Sequence, residues 1–131
     1  MKKILLAAAI ALSATAAHAN TKEITCTYDT AKISSVHTII YNSNEEFSTW
    51  TELETKKKNG KSRAISVSGK ALSSPTKLQL VYSGMFLNRF TIDRETLQFT
   101  WTQATSAYPD MTNTVQQGSC TVRELERKMA F

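Results

Sequence analysis

Three kinds of side chain in this sequence could do chemistry: a histidine, close pairs of carboxylates, and two cysteines. His37 and His18 are the two histidines, and His18 falls in the leader described below. As a general base, His37 would need a group to orient it and a nucleophile within hydrogen-bond reach. No Gly-x-Ser-x-Gly elbow is present. His37 stands between Val36 and Thr38 in a β-branched run, so a strand-surface position is expected. His-x-His and His-Glu-x-x-His spacings are missing, and no metal site or cofactor is expected.

The carboxylates pair as Glu45 with Glu46, Glu52 with Glu54, and Asp93 with Glu95. Glycoside hydrolysis would use two acids across a sugar, one of them held protonated in an apolar pocket. Glu52 and Glu54 share one face of a strand but adjoin Lys56, Lys57 and Lys58, which reads as a solvated, charge-paired surface. Asp93 and Glu95 fit the tip of a turn. No catalytic residue is therefore assigned.

Cys26 and Cys120 are the two cysteines. An even pair in an oxidising compartment reads as one disulfide. Closing so long a loop restricts the unfolded chain by about 4–5 kcal/mol in the chain-entropy description. Cys-x-x-Cys spacing is absent, and two cysteines alone make no zinc site.

Two further groups could carry contacts rather than reactions. Lys56, Lys57, Lys58, Lys61 and Arg63 cluster about an Asn59-Gly60 turn, forming a cationic hairpin tip. Such a tip could meet an anionic surface, or simply keep an edge strand from pairing with other chains. Trp50, Tyr108 and Met111 are the candidate partner-binding residues. They are expected to be partly exposed, with Phe99 and Trp101 taken up by the core.

The elements that must position these groups begin after a leader. Met1–Ala19 carries two lysines, an apolar run from Ile4 to Leu12, and an Ala17-His18-Ala19 end. That is the layout of a secretory signal peptide of bacterial type, cleaved between Ala19 and Asn20 and leading to the periplasm or beyond. The run is too short to span a bilayer, which takes about 20 residues. Without Lys2 and Lys3, 14 basic residues face 11 acidic ones, a mild excess that argues little for nucleic acid.

Residues 20–131 read as a single all-β domain. Ile24, Cys26 and Tyr28 alternate in a first strand, and Ile33 to Tyr41 make a second. Thr49 to Lys57 pairs with Ser62 to Ser68 about the Asn-Gly turn. A short helix near residues 44–54 is an alternative, because Ser43 and Glu46 have capping-box spacing and Phe47, Trp50 and Leu53 recur helically. Lys77 to Tyr82 is a strand. Phe86 to Trp101 is a hairpin greasy on one face, turning at Asp93-Arg94-Glu95-Thr96. Gln103 to Gly118 reads as a long polar loop or loose extension, and Ser119 to Leu125 is the last strand.

About seven strands in an antiparallel meander imply a sandwich or small barrel closed by the disulfide. The function expected is that of an exported, non-enzymatic binding protein, inhibitor-like or surface-exclusion-like, with another periplasmic or envelope protein as partner. A carrier of a small apolar ligand held in the barrel is the alternative. Hydrolysis ranks last, for want of a nucleophile and an oriented base.

Overall fold

The computed structural model describes residues 21–105 and 107–125, apart from the side chain of Pro109. The expected leader and cleavage point, and the tail from 126 on, lie outside the described residues. Eight strands follow one another in chain order: β1 (Thr21–Asp29), β2 (Ile33–Asn42), β3 (Phe47–Lys56), β4 (Ser62–Ser73), β5 (Lys77–Ser83), β6 (Leu87–Asp93), β7 (Gln98–Thr105) and β8 (Tyr108–Glu124). Each pairs antiparallel with the next, and β8 pairs back onto β1, so the sheet closes into a barrel.

Side-chain alternation sets the interior. On β2 the buried residues are Ser35, His37, Ile39 and Tyr41, while Ser34, Val36, Thr38 and Ile40 are less buried. Register carries the same face around the wall: Ile39 stands opposite Ile24 and Trp50, Leu80 opposite Phe90, and Ile92 opposite Phe99. Phe90 and Phe99 stack with ring centroids 4.8 Å apart, and both are buried together with Ile39 and Leu80. These side chains fill the waist of the barrel. Burying each stabilises the fold by about 1.5–3 kcal/mol.

The disulfide clasps the closing seam. Cys26 and Cys120 are direct partners in the β1–β8 ladder, with Cα atoms 4.0 Å apart and a separation of 94 positions in sequence. Gly118 lies just beyond that ladder. A Cβ there would collide with the Thr27 carbonyl oxygen and the Phe99 ring, so the seam closes over a residue with no side chain.

Short-range polar bonds place the turns. Asp93 Oδ1 accepts from the amides of Glu95 (2.9 Å) and Thr96 (3.0 Å), and these amides hold its carboxyl below the usual carboxylate range. Gly60 has φ +67° at the tip of the β3–β4 hairpin. Four hairpin tips (β1–β2, β3–β4, β5–β6, β7–β8) share one end of the barrel, called here the hairpin end. Thr21, Leu125 and the other three turns occupy the opposite, terminal end.

The expected all-β barrel closed by one disulfide is what the chain forms, with eight strands where about seven were expected. Residues 44–54 form no helix: a turn ends β2 and β3 begins at Phe47. The β-branched Thr49, Thr51 and Thr55 outweigh the capping-box spacing. Of the two readings of Gln103 to Gly118, the extended one holds and the loop does not, because β7 runs to Thr105 and β8 starts at Tyr108. From Tyr108 to Gly118, β8 has ladder partners on β7 alone, since its pairing with β1 begins at Ser119. From Asp110 to Val115 this ribbon is exposed on both faces and shows no hydrophobic alternation, and at Gln116 it turns a side chain into the barrel.

Candidate functional site

The hairpin-end half of the interior is polar, and the sequence does not announce it. His37 is fully buried rather than on the strand surface, and Glu52, expected to be solvated, is only 8% exposed. Both follow from parity. His37 shares its face with Ile39 and Tyr41, Glu52 shares its face with Trp50, and the two are direct partners across β2 and β3.

The bonds among these groups have a fixed direction. An indole N–H can only donate. The Trp50 Nε1–H donates to His37 Nδ1 at 3.0 Å, so the imidazole carries its proton on Nε2. Nε2–H in turn donates to Gln116 Oε1 at 2.6 Å. The Gln116 amide then donates to Ser35 Oγ (3.1 Å) and more weakly to Glu52 Oε2 (3.5 Å). Glu52 Oε2 lies 3.7 Å from His37 Nε2. Removal from water drives the His37 pKa down from its ordinary value, against the smaller upward pull of Gln116. Burial, reinforced by the neighbouring Glu54 charge, drives that of Glu52 up. A second proton on His37 would also have to displace the Trp50 donor. The histidine is therefore a neutral link in a chain of bonds, with no nitrogen left over to take a substrate's proton.

Above the network, toward the hairpin tips, a second cluster centres on Asn88. Its Oδ1 accepts from Trp101 Nε1 (3.1 Å) and from Gln103 Nε2 (2.9 Å), and its Nδ2 donates to the Phe86 carbonyl. Trp50, Glu52, Arg63, Tyr82 and Trp101 help line an open pocket of about 210 Å³ at this mouth. Both indole N–H groups are committed inward. What Trp50 and Trp101 leave to the pocket is carbon surface.

The rim shows where the other candidates fall. Trp50 is 4% exposed, so its expected surface position is corrected: the edge-to-face packing against Trp101, at 5.4 Å, draws it inside. Tyr108 (65%) and Met111 (71%) are exposed, on ribbon rather than on a loop. Sequence reading missed their companions. Met85 is 88% exposed, and Phe86, expected on the greasy face of its hairpin, is 39% exposed. β6 pairs with β7 up to Leu87–Ala104, and β7 pairs with β8 up to Thr105–Tyr108, which sets these two tips side by side. The only advance signal was the large apolar pair, Met85-Phe86, directly after a Ser83-Gly84 break.

The cationic tip is two things rather than one. Lys57 is tied to Asp29 of the β1–β2 hairpin at 2.6 Å, and Arg63 lines the mouth pocket. Lys56, Lys58 and Lys61 are exposed. Glu46 stands 3.8 Å from Lys70, at the terminal end. Among the described residues no group of three or more His, Cys, Asp and Glu could hold a metal ion, and no helix is long and apolar enough to cross a membrane. Compared with known proteins, the chain matches no family model, no curated protein and no solved structure.

Proposed function

We propose that this chain is an exported, non-enzymatic binding protein that engages another periplasmic or envelope protein through the hairpin end of its barrel. The observation that carries this reading is the exposure of Met85, Phe86, Tyr108 and Met111 on two adjacent tips. Scattered apolar side chains on a surface are ordinary; four large ones on neighbouring tips are the composition of a binding patch. Aromatic and methionine side chains are what such patches use as anchors. Lys56, Lys58 and Lys61 stand on a separate tip at the same end, which favours a partner with acidic groups beside an apolar patch. A barrel clasped by a disulfide holds these tips in place before contact, which lowers the ordering cost of binding.

The interior supports the absence of a reaction. His37 has both ring nitrogens bonded to protein groups, Nδ1 to the Trp50 indole and Nε2 to the Gln116 amide oxygen. The runner-up reading, a carrier of a small apolar ligand, finds its support at the ends of the barrel, because Phe90, Phe99, Leu80 and Ile39 fill the waist.

The test is affinity capture from envelope extracts of the native host. Wild type would be compared with a Tyr108→Ser/Met111→Ser variant and with a Lys58→Glu/Lys61→Glu variant. One partner is expected to be held by wild type, lost from the first variant, and reduced at low salt with the second. A partner indifferent to the first variant would remove the rim from the account.

A further inference from the structure

We propose that the terminal end of the barrel holds a second binding site, one that takes a small anionic amphiphile of the fatty-carboxylate kind. A cleft of about 490 Å³ opens there, within the range of about 300–1,000 Å³ usual for small-molecule sites. Its floor is the underside of the core: Ile24, Leu78 and Ile92, all buried. Leu97 and Val122 form apolar walls. Leu97 sits at φ +58°, a conformation that L-residues rarely adopt, and its side chain packs onto the core from the β6–β7 turn.

The charge over this floor has one sign. Arg94 and Lys22 line the cleft, and no carboxylate does among the described residues. The Arg94 guanidinium is held across the opening by donating from Nη2 to Tyr41 Oη (3.4 Å) and to Ser73 Oγ. Among the described residues neither cation is in an ion pair: the acids that form them partner His37, Lys57, Lys70 and Arg123. Glu124 is the ladder partner of Lys22 without bonding to it, and the Asp93 carboxylate is engaged by its own turn amides. An apolar floor favours an alkyl chain, and a pre-positioned guanidinium with an ammonium beside it favours an anionic head at the opening. A neutral alkyl chain would leave both cations unanswered. This site is at the opposite end from the protein-contact rim and does not depend on it.

Calorimetric titration of the intact, oxidised protein with dodecanoate, and separately with dodecan-1-ol, tests the proposal. Saturable one-to-one binding of dodecanoate is expected, with the alcohol at least tenfold weaker. Arg94→Gln is expected to weaken dodecanoate at least tenfold and leave the alcohol unchanged, whereas Arg94→Lys keeps most of the affinity. Val122→Trp, which fills the opening, should abolish both, and near-UV circular dichroism of each variant separates lost binding from lost fold. Tyr108→Ser/Met111→Ser should bind dodecanoate like wild type, which keeps failure of the rim and failure of the cleft apart. No saturable binding by wild type, equal affinity for acid and alcohol, or indifference to Arg94→Gln would each overturn the proposal.

Discussion

Along β2 one alternation runs from Ser35 and His37 near the hairpin end to Ile39 and Tyr41 near the terminal end, and the two halves of the barrel it lines are held by different physics. The terminal half is closed by apolar packing: Ile24, Ile39, Leu78, Leu80 and Ile92. The hairpin half is closed by donors and acceptors in series, from Trp50 through His37 to Gln116, Ser35 and Glu52. Alternation decides which residues go inside, and it leaves open whether the inside is greasy. An apolar half fails in proportion to the volume removed, whereas a polar half fails bond by bond. The outward surfaces differ as well: the hairpin end carries apolar anchors on two tips and lysines on a third, whereas the terminal mouth carries Lys22 and Arg94 over an apolar floor.

The largest effect should come from the clasp between the halves. Cys26→Ala/Cys120→Ala is expected to cost about 4–5 kcal/mol of stability, measured by urea unfolding against the oxidised protein. A change below about 1 kcal/mol would mean that the ladders close the barrel without it. Next comes the waist. Phe90→Ala, which removes a fully buried ring stacked on Phe99, should cost about 3–5 kcal/mol.

His37→Phe sharpens the contrast, because it keeps a flat aromatic ring, slightly larger than imidazole, and removes the bonding capacity. It strands the Trp50 N–H and the Gln116 carbonyl, each at about 1–3 kcal/mol. Adding Trp50→Phe and Gln116→Met should recover much of that loss, since no polar group is then left waiting for a partner. Failure of the triple variant to recover would show that shape, not pairing, governs this half.

A smaller effect is the dependence on pH. The folded His37 pKa is lowered, so the unfolded chain binds the extra proton first, and stability should fall as pH drops below about 6.5 toward the folded value. Glu52 acts oppositely: its folded pKa is raised, so its contribution declines as pH rises from about 4.5 through the folded value. In His37→Phe the acid-side loss beginning near pH 6.5 should vanish, while a slope from Glu52 at lower pH remains. Smallest of all, Tyr108→Ser/Met111→Ser should leave stability within about 0.5 kcal/mol of wild type, as befits residues outside both halves.

The apolar half was largely legible in the sequence, and the polar half was not. Phe90, Ile92 and Phe99 alternate with polar neighbours about an Asp-led turn, and the Asn59-Gly60 turn fixes a second hairpin, so strands and their pairing can be read locally. In β2, Val36 and Ile40 are as apolar as Ile39, which hides the parity that sends His37 inward. Gln116 is beyond local reading altogether, since its partners lie 79 and 81 residues away. Of the candidate contacts, Tyr108 and Met111 were legible as large apolar residues in polar company. Met85 and Phe86 were not, because a hairpin's greasy face explains them equally well until register shows which tip they stand on.

The central claim is that contact is made by the hairpin end. A photo-crosslinking residue placed at position 111, and in a second strain at the exposed wall position Thr121, would test it in cells of the native host. One discrete adduct from position 111 and none from position 121 is the expected result. Adducts from both positions alike, or from the wall alone, would contradict it.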